Sequence, residues 1–296
     1  MSTFIVLTIT GLGLGAMYFL IASGLSLIYG LMGVLNFAHG AFLTVGAYAS
    51  WWMSEHAFHG VSPVLLRFLL GALCGLVAGA VFAALVELVL IRPLYQRHIE
   101  QVLVTVGLSL AFVALVQGIW GPTLRPYAVP GWLHETTTIF GAHIPNDRWI
   151  EIATAGAVLL LLQLFLRRTR YGLIIRAGVE NRAMVTALGI NVRTAFTLVF
   201  AIGGVAAALA GVLSGVYFST IDPSQGTRLL IFAFIVVVIG GLGSLSGSAI
   251  AAVVVGLLQQ YVNFYASAGI GDIAVVLLLG LVLLARPRGL AGAFAT

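Results

Sequence analysis

The 296-residue chain contains no lysine, so all 14 of its basic residues are arginine. That removes every reaction built on a lysine, whether the phosphate-cradling lysine of a nucleotide loop, a Schiff base or a Ser-x-x-Lys nucleophile. Cysteine is nearly as scarce. Cys74 stands alone inside an apolar run, which excludes an internal disulfide and a multi-cysteine metal site. Charge of either sign is thin, at 8% of residues against roughly a quarter in soluble domains. The net charge of +5 comes from arginines in short loops between apolar runs, a placement that membrane orientation explains. No nucleic-acid partner is expected.

What the chain has in abundance is apolar sequence, 61% of its residues. These residues fall into runs, several of them long enough to cross hydrocarbon at roughly 18 to 25 residues. Nine segments stand out: Phe4 to Ile28, Leu31 to Met53, Val64 to Leu90, Val102 to Trp120, Trp149 to Leu166, Ala195 to Phe218, Leu229 to Leu242, Ala249 to Tyr265 and Ile270 to Ala285. The pattern predicts an all-α, polytopic membrane helix bundle of about eight or nine hydrophobic segments, with residues 1–296 as a single transmembrane domain. The seventh and ninth segments fall short of a full span, so broken or re-entrant helices are expected, buried in protein or lining water. Residues Met1 to Phe4 lack the basic stretch of a signal peptide, and the first run is expected to remain as a membrane anchor.

Arginine placement sets the orientation. Arg92 and Arg97, then Arg167, Arg168, Arg170, Arg176, Arg182 and Arg193, and finally Arg286 and Arg288 mark the cytoplasmic face. The proline-rich stretch from Gly121 to Arg148 is then the largest outer loop. Nine crossings put the N-terminus outside, and one re-entrant segment would make them eight. Trp51, Trp52, Trp120, Trp132 and Trp149 fall near outer segment ends, as an aromatic belt requires. Gly71, Gly75 and Gly79, Gly211 with Gly215, and Gly243 with Gly247 repeat at four-residue spacing, which suits close packing within one bundle better than a dedicated dimer seam.

Two polar stretches interrupt this apolar background. Asn36 and His39 lie in Asn-Phe-Ala-His-Gly within the second segment, where polar groups are costly unless they face a cavity or a partner. They are candidates for a solute path, and hydrogen bonding to a neighbouring helix is the equal alternative. No second histidine, cysteine or carboxylate stands at ligand spacing to His39, and no metal is expected. Ile239 to Gly247, IGGLGSLSG, lacks the lysine and the βαβ setting of a nucleotide loop. Its Gly240, Gly241 and Gly243 fit an interhelical turn or, less ordinarily, a helix break that offers backbone groups to a solute. Thr105, Ser109 and Gln117 share one segment and are further path candidates, with helix-to-helix hydrogen bonding the commoner role. Glu87 is expected to snorkel or pair near the cytoplasmic end of its helix. Asp222, Gln225 and Arg228 are expected at the outer surface, facing a binding protein.

Four stretches in order resemble the shorter permease form of branched-chain amino acid (LIV-type) ABC importers, over nearly the whole chain. They are YGLMGVLNFAHGAFLTVGAY from Tyr29, IRPLYQRHIEQVLVTVGLSL from Ile91, RAGVENRAMVTALGINVR from Arg176 and FIVVVIGGLGSLSG from Phe234, with ARPRGLAG from Ala285 after them. The third resembles a coupling helix, with Asn181 as N-cap and Gly189 as stop, inside a cytoplasmic loop at about 167–194. The resemblance implies that Glu180, Arg182, Met184, Val185 and Leu188 contact an ATPase, although Val-Glu-Asn replaces the family's Glu-Ala-Ala.

By the same resemblance this is a non-catalytic subunit of the bacterial inner membrane, surrounded by lipid and binding no cofactor itself. Its implied partners are a homologous second permease or a second copy, two ATP-binding subunits that hold the ATP, and a periplasmic substrate-binding protein. Branched-chain or related amino acids are the default cargo, with urea, short amides and small aromatic acids as alternatives. An ion-coupled secondary transporter is the rival from another class, with Glu87 and His39 its only good intramembrane candidates.

Overall fold

The computed structural model describes residues 2–33, 35–95, 97–180, 184–185, 192–287 and 289–291. Ten α-helices occur among the described residues: α1 (Ser2–Met32), α2 (His39–Trp52), α3 (Val64–Val86), α4 (His98–Trp120), α5 (Asn146–Arg168), α6 (Arg170–Glu180), α7 (Val192–Phe218), α8 (Gln225–Gly240), α9 (Leu245–Tyr265) and α10 (Ile270–Ala285). Six helical regions are long and apolar enough to cross a membrane. The helices α2, α8 and α10, with 14, 16 and 16 residues, are shorter than a span. The expected all-α membrane bundle with broken segments is what the chain forms.

α1 is apolar on every side, which suits a helix enclosed by others. Met17, Leu20, Ile21, Leu25 and Ile28 on it are fully buried, and α5, α7, α8 and α9 pack around it. α3, α4 and α10 keep apolar residues such as Leu73, Leu103 and Leu281 exposed, the pattern of helices that face lipid. Gly75 and Gly79 on α3 lie against Gly46 of α2 and Ala208 of α7, and Gly211 lies against Leu43. The small-residue repeats are therefore intramolecular seams, as expected.

α1 starts on the side of the outer loop, because Gly13 abuts Arg148 and Glu151 at the head of α5. It ends on the arginine-rich side, where Gly30 meets Gly243 and shares a cleft with Leu166 and Arg176. The outer loop folds into a hairpin of β2 (Thr136–Ile139) and β3 (Ala142–Pro145), with Thr137 opposite Ile144. Phe140 and Gly141, at φ of 49° and 77°, make the tight turn whose twist suits paired strands. A second pair joins β1 (Arg125–Pro126) to β4 (Thr220–Ile221) and ties this loop to the stretch before α8. In the loop at 167–194, α6 precedes the expected helix, and Met184 and Val185 within that expected helix are themselves helical; Arg182 and Leu188, and the caps Asn181 and Gly189, lie outside the described residues.

Candidate functional site

Two stretches of the chain fold into the same device. α1 ends at Met32 and Gly33 takes a φ of 67°; α7 ends at Phe218 and Ser219 takes a φ of 57°. Both are the left-handed residue that commonly closes a helix. Three residues later comes an Asx side chain whose Oδ1 accepts a backbone N–H two residues ahead, from Ala38 to Asn36 at 3.0 Å and from Ser224 to Asp222 at 2.9 Å. The Asx carbonyl then accepts the N–H of the first residue of the next helix, His39 of α2 or Gln225 of α8, at 3.2 Å in both. A glycine follows, Gly40 or Gly226. Asn36-Phe-Ala-His-Gly and Asp222-Pro-Ser-Gln-Gly are thus counterparts in sequence and in hydrogen bonding.

Their depth follows from what they touch. Gly24 of α1 packs against both the His39 ring and the Gly203 carbonyl, so α2 begins level with Gly203, near the middle of the 27-residue α7. A Cβ on Gly40 would stand 2.7 Å from the Gly226 oxygen, and a Cβ on Gly226 would stand 2.1 Å from the Gly40 oxygen. Only two glycines allow helix starts this close. From this junction α2 rises to the outer side and α8 descends to the arginine-rich side. The inner half of one crossing and the outer half of the other are completed by irregular backbone at 35–38 and 219–224. Such inverted, discontinuous helices, with their partly positive N-termini at mid-depth, are the architecture of solute sites in membrane transporters.

Of the residues singled out in the sequence, four gather at or beside the junction. Asn36 is fully buried, its Oδ1 accepts the Ala38 N–H just ahead of α2, and its Nδ2 has no hydrogen-bond partner among the described residues. His39, also fully buried, donates from Nε2 to the Ile21 carbonyl at 3.1 Å, and its Nδ1 has no partner among the described residues. Thr105 Oγ1 accepts the Phe37 N–H at 3.3 Å, and Ser109 is buried one turn along the same face of α4. Phe37 in turn packs on Phe234 of α8 with ring centroids 4.9 Å apart. The path and packing readings of these residues therefore meet at one place.

The other four do not join them. Gln117 is exposed near the outer end of α4, away from the seam of Thr105 and Ser109. Gly240, Gly241 and Gly243 sit at the opposite end of α8 from the break. Gly241 and Gly243 take φ of 98° and 83°, Gly240 is wedged against Gly247, Gly243 against Gly30, and the Leu290 N–H bonds to the Ile239 carbonyl at 2.8 Å. This is an interhelical turn on the arginine-rich side, away from the break. A run of glycines marks tight backbone, and sequence alone does not say at which depth.

The reading also missed charges. Asp222 and Arg228, expected at the outer surface, descend with the break to the head of α8, where the Arg228 guanidinium pairs with the Asp222 carboxylate. Intramembrane charge, expected to be nearly absent, is gathered at the start of α5. Arg148 lies 3.2 Å from Asp147 and 3.5 Å from Glu151, with its guanidinium 3.4 Å from the Tyr217 ring centroid. The i, i+4 spacing of Asp147 and Glu151 around Arg148 was a legible signal, obscured by ending the outer loop at Arg148. Glu87 pairs rather than snorkels. It is fully buried and accepts hydrogen bonds from Thr197 at 2.7 Å, from Tyr95 and, at 3.5 Å, from Arg92. Burial, and then the Glu87 carboxylate beside it, push the Tyr95 phenol up, so that it stays a donor.

On the arginine-rich side the expected coupling cluster divides. Met184 is exposed, whereas Val185 is buried in the main core, against the expectation that both face a partner. Glu180 closes α6. That helix buries Ile175 and exposes Tyr171 and Leu173, two apolar side chains that the sequence reading did not select.

Comparison with known proteins follows the same lines. A family model described as branched-chain amino acid transport system / permease component matches residues 7–286. The high-affinity branched-chain amino acid transport system permease protein LivH of Salmonella typhimurium is 30% identical over 95% of this chain and 93% of its own. BraD of Pseudomonas aeruginosa, a permease protein of the same description, is 30% identical over 96% of this chain and 94% of its own. A probable LivH of Methanocaldococcus jannaschii is 26% identical over 92% and 88%. No solved structure matches.

Proposed function

Given that this multi-pass membrane protein belongs to the family of branched-chain amino acid transport permease components, we propose that it forms one half of a solute path for branched-chain amino acids, driven by ATPases on other chains. The observation that carries this reading is the pair of inverted half-helices meeting at Gly40 and Gly226. Each supplies irregular backbone on one side of the junction only, so the break at 35–38 serves as the inner gate and that at 219–224 as the outer one. Asn36, His39, Thr105 and Ser109 line or brace the path beside the inner gate.

A second permease, either homologous or identical, completes the path. The ATPases bind at α6 and the residues after it, through Tyr171, Leu173 and Met184, with Glu180, Arg182 and Leu188 added by family resemblance. α6 packs on α1, α5 and α7, so a push there reaches both helices that lead into the gates. The chain has no lysine for a phosphate loop, and the ATP is held by the partners. Capture of solute falls to a binding protein outside.

Reconstitution tests this. Liposomes holding the chain alone are expected to show no concentrative uptake of radiolabelled leucine, and uptake should appear once ATPases, second permease and binding protein are all present. Concentrative uptake by the chain alone under an ion gradient would favour ion coupling instead, through Asp147 and Glu151.

A further inference from the structure

The two halves of the junction are alike in backbone and unlike in charge. Where the inner copy has Asn36, the outer copy has Asp222. Two residues past the paired glycines, the inner copy has Phe42 and the outer copy Arg228. Phe42 is fully buried, but the Arg228 side chain is 62% exposed although α8 begins near mid-depth. A guanidinium at that depth does not face hydrocarbon, which disfavours an unpaired charge. It faces water, a ligand or the second permease.

What surrounds it is a cleft of about 300 Å³, at the lower end of small-molecule sites. Leu124, Phe218 and Leu229 supply its apolar wall, and Asp222, Gln225 and Arg228 its polar one. The β1–β4 pair lies beside it, at the outer gate. Asp222 Oδ1 is taken up by Ser224, from N–H at 2.9 Å and from the hydroxyl at 2.6 Å, while Oδ2 meets only Arg228 among the described residues. The Gln225 Oε1 accepts the Asp222 N–H at 3.3 Å, which leaves its amide N–H groups as donors.

We propose that this cleft binds the zwitterionic head of a small aliphatic amino acid, with the ligand's carboxylate on Arg228 and Gln225 and its ammonium on Asp222. The ligand separates a carboxylate from a guanidinium and pairs each with an opposite charge of its own, so no charge is left alone. A planar guanidinium suits a carboxylate in particular. The aliphatic side chain lies against Leu124, Phe218 and Leu229. The inner copy, with neutral Asn36 and Phe42, holds no such head, so solute passing the junction leaves its charged partners behind. This assignment rests on the transport reading above.

The test uses right-side-out vesicles carrying the full importer, with Cys74→Ser and Thr220→Cys in this chain. The rate at which a membrane-impermeant methanethiosulfonate modifies position 220 is measured with leucine, with leucinamide, which lacks the carboxylate, and with 4-methylpentanoate, which lacks the ammonium. Leucine uptake is followed in parallel. Leucine at the concentration giving about 90% occupancy is expected to slow modification about tenfold, the loss of reactive form at that occupancy, and the two truncated solutes to leave it unchanged. Arg228→Gln and Asp222→Asn should each abolish protection while the rate without solute stays the same. Uptake of leucine without protection, or protection that survives both substitutions, overturns the site and leaves the transport reading standing. Protection without uptake under any set of partners supports the site and overturns that reading; absence of both overturns the two together.

Discussion

At the scale of single residues, the same residue type does opposite things according to what lies within a few ångströms. A Cβ at Gly226 would meet the Gly40 oxygen at 2.1 Å and Thr44 Oγ1 at 2.4 Å, whereas one at Gly107 on α4 meets nothing within 4 Å. Gly226→Ala is therefore expected to force the half-helices apart, at roughly 1 to 3 kcal/mol for overpacking, and to abolish uptake. Gly107→Ala should be neutral or raise stability by up to about 1 kcal/mol, the helix propensity gained. Thermal unfolding of both variants in detergent, with uptake alongside, checks the pair. Glu87 follows the same logic for a polar group. Glu87→Leu would strip Arg92, Tyr95 and Thr197 of their shared acceptor and should cost roughly 2 kcal/mol or more. Thr197→Val, which keeps the Arg92 and Tyr95 bonds to that carboxylate, should cost less. Equal losses for the two in a melting experiment would show that the carboxylate does not organise this cluster.

At the scale of elements, helix length and helix role separate. α8 falls in a segment short by hydropathy, whereas α2 is hidden in the full-length run Leu31 to Met53, and the two form the junction. α4 is long enough to span and meets the rest of the bundle along a narrow seam of Gln101, Thr105, Ser109 and Val116. Thr105 and Ser109 were legible as path candidates because polar residues four apart share a helix face. Gln117 was not separable from them by composition, and only its rotation around α4 removes it. α6 offers the sharpest test at this scale, since one face buries Ile175 while Tyr171 and Leu173 stand exposed. Leu173→Glu is expected to reduce ATPase co-purification and uptake several-fold with no change in melting temperature. Val185→Glu should instead lower the melting temperature, because it places a charge in the core. If Leu173→Glu melts early and Val185→Glu only uncouples, the assignment of the partner-facing side is reversed.

At the scale of the whole molecule, the chain behaves as two halves inserted in opposite directions and joined through glycine contacts. The exposed apolar faces of α3, α4 and α10 enclose it in lipid, and among the described residues the buried charges include the Asp222–Arg228, Asp147–Arg148–Glu151 and Glu87–Arg92 groups. The spacing of Asp147 and Glu151 around Arg148 at the head of α5 is legible in the sequence, whereas Asp222 lies in the break after α7 and only the tertiary structure sets it, with Arg228, at depth.

The sequence by itself determined the solvent, the helical class, the apolar segments and the outer and inner loops, since each depends on composition averaged over about 20 residues. The absence of lysine alone ruled out a nucleotide loop, and four stretches in order were enough to identify the family. What only the tertiary structure decided was depth and facing. Asn-Phe-Ala-His-Gly and Asp-Pro-Ser-Gln-Gly share a single glycine and a pattern of polar positions, and no local propensity reveals that their helices start at the same level. That follows from Gly24 touching His39 and Gly203, and from Gly40 touching Gly226. It also follows that the Ile239–Gly247 glycines, more conspicuous in the sequence, make only a turn. Contacts between residues far apart in the chain fix the level of a backbone break in the membrane, and a hydropathy pattern carries no record of them.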